Sequence, residues 1–265
     1  PLTTPQVLSK LIQGEVVTYP VTVIEGLTLA QTVKHLATTQ FGDLAEFEAL
    51  VRSPELIEDL DPEAIDLEGY LFPETYHFAK GTPAETVVDT MVSTFRQRYE
   101  QQVEPLQDPT NAQSVRELVT LASIVETEAR LDEERALIAG VYANRLRIGM
   151  PLQADPTVIY SLTLAGHYDG NLRRDDLKFD SPYNTYVYPG LPPGPIASPG
   201  LASLVAAARP EDVPYLYFVS RNDGSHVFAE TLREHNRNVN EWQKVYWRKK
   251  WAEERRQRAA QDPSD

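Results

Sequence analysis

Between Ser114 and Arg130 the chain reads SVRELVTLASIVETEAR, with no charged residue at positions 118–125 before two glutamates, Glu126 and Glu128. On a helix, Glu126 lies four residues after Ala122, seven after Val119 and eleven after Val115, which puts its carboxylate on an otherwise apolar stripe. A carboxyl group held against apolar surface loses hydration, keeps its proton to higher pH and can act as a general acid. The competing reading is a solvated glutamate at a fraying helix end, and spacing alone leaves both standing. Glu128 falls on the Leu121/Ile124 side and is expected to be an ion-pair partner for Arg145 or Arg147. Asp155, in LQADPTVIY, precedes Pro156 and is expected to cap a helix that starts there, with a role in a site as the alternative.

Other chemistries find little support. The chain has no Cys, so disulfides, cysteine nucleophiles and zinc–thiolate sites are excluded. Its histidines, at 35, 77, 167, 226 and 235, form no i, i+4 pair and no HExxH arrangement. His226 and His235 are possible site residues or simply hydrogen-bonded structure. There is no G-x-S-x-G elbow, no P-loop and no G-x-G-x-x-G. The run SPYNTYVYPGLPPGPIASPG combines tyrosines with Asn184, Thr185 and proline–glycine turns. Such a stiff, aromatic, amide-bearing loop suits an extended polar ligand such as a glycan, or packs over the core.

The elements that must hold these residues read as α+β, with more helix than strand. A short helical pattern at Val7, Leu8, Leu11 and Ile12 ends at Gly14. Val17, Tyr19, Val21 and Val23 then alternate as in a half-buried strand. Thr28 is expected to cap a helix with Leu29, Val33 and Leu36 inward, and an acidic helical stretch runs from about Asp43 to Leu60. LEGYLFPETYHF is strand-like, and a long helix follows from Thr82 to about Val103 with Val87, Met91, Phe95 and Tyr99 on one stripe. Beyond Pro105 and Pro109, where a domain boundary is expected, come the helix from Ser114 and another over about 132–148. The stretch from Pro182 to Pro214 carries 8 prolines but also Tyr183, Tyr186, Leu191 and Ile196, too apolar for a linker, so an ordered loop is expected. Ser198–Pro199 should open a helix through Ala208; strands at Tyr215–Ser220 and Val227–Ala229 flank an Asn222–Asp223–Gly224 turn, and a closing helix starts near Thr231.

With 25 Lys+Arg against 39 Asp+Glu, the net charge of −14 argues against nucleic acid as a partner. It divides as −12 over residues 1–110, −5 over 111–243 and +3 over 244–265, and all three tryptophans, Trp242, Trp247 and Trp251, are expected in the basic C-terminal helix. Those tryptophans suit contact with a membrane surface or packing of a terminal helix on its neighbour. No apolar run approaches the ~20 residues of a membrane-spanning helix. The chain starts at Pro1 without Met or a signal-like stretch, which reads as a piece of a longer protein whose targeting or anchoring segment lies outside it.

At LEGYLFPETYHF, LASIVETEA, VYANRLRIGMPLQADPTVIY, SPYNTYVYPGLPPGPIASPG and YLYFVSRNDGSHVFAETLREHN, taken in that order, the chain resembles the endolytic murein transglycosylases, the YceG-like family. The match covers roughly residues 67–245. VTVIEGLTLAQTVKHLA is similar to the family's LysM-like subdomain, although shorter upstream than is usual. The division this implies is a LysM-like unit at 1–66, a connecting strand and long helix at 67–110, a catalytic region at 111–245 and a basic helix and tail at 246–265. The resemblance implies a peptidoglycan lytic transglycosylase that cleaves the MurNAc-β-1,4-GlcNAc bond within strands, with Glu126 catalytic and no metal or cofactor. It implies substrate-binding roles for Glu128, Asn144, Arg145, Gln153, Asp155, Tyr183, Asn184, Thr185, Tyr186, His226 and Asn236. Glycan strands and peptidoglycan synthases would be the partners. A single-pass anchor in the bacterial inner membrane would hold the catalytic part in the periplasm or extracytoplasmic space. A silent murein-binding module and a hydrolase using Glu126 with Asp155 are the alternatives.

Overall fold

The computed structural model describes residues 3–5, 16–110, 112–248 and 250–252. The helical pattern expected at Val7–Ile12 and most of the basic tail lie outside them. The described residues are mixed α+β and rich in helix, with two small antiparallel sheets of two strands each.

Strand β1 (Thr18–Thr22) pairs with β2 (Thr75–Ala79), Thr18 opposite Ala79 and Thr22 opposite Thr75. With a single partner strand, β1 buries only Val21, followed by Val23 just past its end. Val17 and Tyr19 stay exposed, against the full alternation expected of them. Helix α1 (Leu29–Leu36) starts on a reciprocal cap in which Thr28 Oγ accepts the Gln31 N–H and the Gln31 side chain accepts the Thr28 N–H. Asp43 caps α2 (Leu44–Val51), which stops before Ser53–Pro54, so the acidic helix expected to reach Leu60 is half that length. The segment Leu67–Phe72 is irregular rather than strand: Leu67, Tyr70, Leu71 and Phe72 are buried from a loop, and the Tyr70 hydroxyl donates to Asp61 at 2.6 Å.

Helix α3 (Ala84–Arg98) continues as a π-helical turn, Tyr99–Val103, and buries Val87, Met91, Phe95 and Tyr99 along the expected stripe. Next come α4 (Val115–Glu128), capped by Ser114 and Glu117, α5 (Arg135–Arg147) and α6 (Asp155–Leu164). Helix α7 (Leu201–Ala208) begins after Gly200, not at Ser198–Pro199 as expected. The backbone of Ser198 is engaged elsewhere: its N–H donates to Leu27 O and its carbonyl accepts from Gly26 N–H. Strands β3 (Tyr217–Ser220) and β4 (His226–Ala229) form the second hairpin, and α8 (Leu232–Val239) runs into a π-helical segment, Asn240–Val245. α4 packs against α5 and α7, and the turn Tyr99–Val103 also touches α7. One hydrophobic cluster runs from Val21 to Ala207, so apolar burial is continuous across residue 110.

Candidate active site

The last turn of α4 presents Glu126, Thr127 and Glu128 where several other elements meet. Glu126 Oε1 lies 3.0 Å from Arg135 Nη1, and its Oε2 accepts the Gly200 N–H at 3.0 Å. Arg135 also reaches Asp132 at 3.0 Å and Ser203 Oγ at 2.6 Å. The Glu126 and Arg135 side chains are 6% and 9% exposed. From the front of the chain, Glu25 comes so close to Gly200 that a Cβ there would lie 2.0 Å from its carboxylate. Burial, and then the charge of Glu126, hold the Glu25 carboxyl above its ordinary value. The helix-face argument put apolar surface around the Glu126 carboxylate; the fold puts a guanidinium there, because α5 supplies Arg135 on the side α4 alone leaves open.

Two residues on, Glu128 faces a cavity of about 400 Å3. Tyr142 and Arg145 from α5, Gln153 and Asp155 at the start of α6, Tyr186 from the proline-rich loop, and His226 from β4 line it with Glu128. The expected ion pair is not made: among the described residues no salt bridge joins Glu128 to Arg145 or Arg147. Instead the Tyr142 hydroxyl donates to Glu128 Oε1 at 3.1 Å. Burial, reinforced by the negative charge of Asp155, pushes the Glu128 carboxyl up to about 7, while Tyr142 and Arg145 pull the other way.

Arg145 is a buried cation spent on carbonyls, Leu216 O at 2.7 Å and Leu152 O at 2.6 Å, with its guanidinium 5.4 Å from the Tyr217 ring centre. Asp155 is the first residue of α6 and not its cap; the cap position is Ala154, and the Asp155 carboxylate accepts the Tyr186 hydroxyl at 2.6 Å. Gln153 sits at φ 49, in the left-handed region that a non-glycine residue seldom occupies. His226 is fixed from behind by Glu134, whose two carboxylate oxygens take its N–H at 2.9 Å and its Nδ1 at 2.7 Å.

Other residues named from the sequence support the site without lining it. Asn144 donates to Val213 O and Tyr215 O and so anchors the run into β3. Asn184 is fully buried, donating to Leu177 O and Phe179 O and accepting from Tyr186 N–H. Thr185 is buried too, with its hydroxyl on Thr157 and on the Ala154 N–H. Tyr183 packs on Tyr160, ring centres 5.0 Å apart, and Asn236 is exposed on α8 beside the cavity-lining His235. His235 stacks on Tyr217, and burial together with Arg145 lowers its pKa. Tyr142 and Gln243 line the cavity without having been singled out. Tyr142 was within reach of spacing arguments, three residues before Arg145 on one helix face, whereas Gln243 arrives only through tertiary folding.

The YceG-like family model matches residues 1–241. The chain is 36% identical over 250 residues to an endolytic murein transglycosylase of Bacillus subtilis (strain 168), covering 87% of this chain and 67% of that protein. It is 32% identical over 273 residues to a protein of the same name from Streptococcus pneumoniae serotype 2, covering 91% of this chain and 48% of that one. The chain thus spans about two thirds of the first of these relatives and about half of the second. The crystal structure of a yceG-like protein from Listeria monocytogenes matches with a TM-score of 0.72 and 36% identity, over 89% of this chain and 81% of that chain.

Proposed function

The chain belongs to the YceG-like family, and from that premise we propose that it is a peptidoglycan lytic transglycosylase whose general acid is Glu128. One observation carries the choice of residue: burial and Asp155 hold the Glu128 carboxyl near 7 at a cavity wall, so it carries a transferable proton at neutral pH. Glu126, which the helix-face argument left open and the resemblance favoured, has both carboxylate oxygens engaged by Arg135 and Gly200 and serves better as a tie between elements.

In this reading Glu128 gives its proton to the oxygen linking C1 of N-acetylmuramic acid to C4 of N-acetylglucosamine, and the C1–O bond breaks. The 2-acetamido group steadies the cationic C1. The C6 hydroxyl oxygen of the same muramic acid then bonds to C1, and its proton passes to the Glu128 carboxylate. The acid is regenerated, no water is consumed, and the product ends in a 1,6-anhydro ring. A single carboxyl group does both jobs because the second nucleophile belongs to the substrate. Mass spectrometry of digested murein tests this: 1,6-anhydro ends from the wild type and none from Glu128→Gln are expected, and full activity in that variant would defeat the assignment.

One feature favours a second reading. The charge of Asp155 is felt at Glu128, so a water-consuming route would have the second carboxylate that glycoside hydrolysis ordinarily uses. Digestion in 18O-labelled water separates the two, since only hydrolysis puts the label into the new end. With murein as substrate, the protein would work on the extracytoplasmic side beside peptidoglycan synthases, held by an anchor outside these residues. Among the described residues no helix is long and apolar enough to cross a membrane.

A further inference from the structure

A second cavity, of about 340 Å3, opens where the front of the chain meets α6. Thr28 and Gln31 line it from the start of α1, Thr127 from the end of α4, and Ile159 and Tyr160 from α6, with Tyr168 beyond. Thr127 and Pro156, both in its wall, are the chain neighbours of Glu128 and Asp155 in the first cavity. The two cavities are therefore lined by consecutive residues on each of two helices.

We propose that this second cavity is a glycan subsite: the murein strand runs from the Glu128 cavity across Thr127 and Pro156 and seats further sugars between α1 and α6. The inference rests on the substrate class proposed above and adds where the strand goes. An enzyme that cuts inside a polymer must accommodate sugars on both sides of the broken bond, and these extend beyond a single cavity of about 400 Å3. The lining has the chemistry for them: tyrosine faces and Ile159 for the apolar sides of pyranose rings, and threonine hydroxyls and a glutamine amide for hydroxyl and acetamido groups.

Charge favours the same occupant. Murein carries carboxylates, and the chain is strongly acidic, yet among the described residues no charged one lines this groove. Glu68 lies behind it, accepting the Leu29 N–H at 2.8 Å and the Tyr160 hydroxyl at 3.1 Å, and burial pushes its carboxyl up to about 8. The groove wall is therefore uncharged at neutral pH, and the same Glu68 bridge fixes the spacing of α1 and α6. The Gly26–Ser198 and Ser198–Leu27 backbone bonds brace the opposite side.

Two variants test this independently. Tyr168→Ala removes a partly exposed stacking face, and Thr163→Trp puts bulk into the groove from an exposed position on α6. Each is compared with the wild type on long glycan strands and on the shortest strands the wild type cleaves. The long-to-short rate ratio is expected to fall about tenfold in each, in Tyr168→Ala through one lost aromatic contact and in Thr163→Trp through exclusion of the sugar. If the wild type cleaves strands and both variants keep its ratio, the subsite is overturned and the catalytic reading stands. If the wild type releases nothing from strands of any length, the reading itself fails and takes the subsite with it.

Discussion

Glu126 and Glu128 leave the same turn of the same helix, yet they face opposite kinds of surroundings. Glu126 meets a guanidinium and a backbone N–H, which satisfy a negative charge; Glu128 meets a second carboxylate and a desolvated wall, which favour the proton against the opposing pull of the Tyr142 hydroxyl. The first arrangement joins α4, α5 and α7 and lies against the Glu25–Gly26 loop. The second leaves a group ready to change its charge. Two identical side chains in one helical turn thus acquire different chemistry entirely from what the rest of the fold brings to each face.

The contrast breaks most sharply on paired substitutions. Glu128→Gln should lower turnover by about a thousandfold, the scale of a lost general acid, with an unchanged melting temperature. Glu126→Gln should leave activity per folded molecule within about tenfold; comparable losses in the two would erase the distinction. In stability the order reverses. Glu126→Ala takes the buried carboxylate from Arg135 and leaves it only the exposed Asp132 as a charged partner, which should cost about 3 kcal/mol in denaturant melts, whereas a loss below about 1 kcal/mol would mean the tie is dispensable.

A smaller effect concerns pH. Glu68 has its folded value near 8 against an ordinary 4.5, so the native state binds more protons than the unfolded chain between those limits, and stability should fall as pH rises through that window. Glu68→Gln should flatten the slope, which pH-dependent melts measure directly. The subtlest change sharpens the role of Glu128. If it acts protonated, activity declines as pH rises past about 7. Tyr142→Phe removes a hydrogen bond that lowers its pKa and should move that decline to higher pH. Asp155→Asn removes a like charge and should move it lower. Shifts of the same sign in both variants would contradict the assignment.

Much of the fold was legible because local rules govern it. The cap at Thr28, the helix start at Ser114 and the stripe Val87–Met91–Phe95–Tyr99 are patterns within a few helical turns, and all formed as read. Reading failed where a distant partner outbid a local preference. Tyr70 and Phe72 have strand-forming side chains, but Asp61 and the core take them from a loop. Ser198 has the residue type of a helix cap, yet its backbone pairs with Gly26 and Leu27. Asp155 precedes a proline as caps often do, but accepts a tyrosine hydroxyl from thirty-one residues away.

The site divides along the same line. The chain itself determined that two carboxylates would close an uncharged helical segment, that a stiff tyrosine-bearing loop would follow, and which family the motifs resemble. These are matters of residue type and short spacing. Which carboxylate would meet a cation and which would be desolvated beside a like charge was decided only when α5 delivered Arg135 to Glu126 and α6 brought Asp155 close to Glu128. A pKa depends on burial and on charges a few ångströms away in space, and those charges here come from residues nine to twenty-seven positions along the chain.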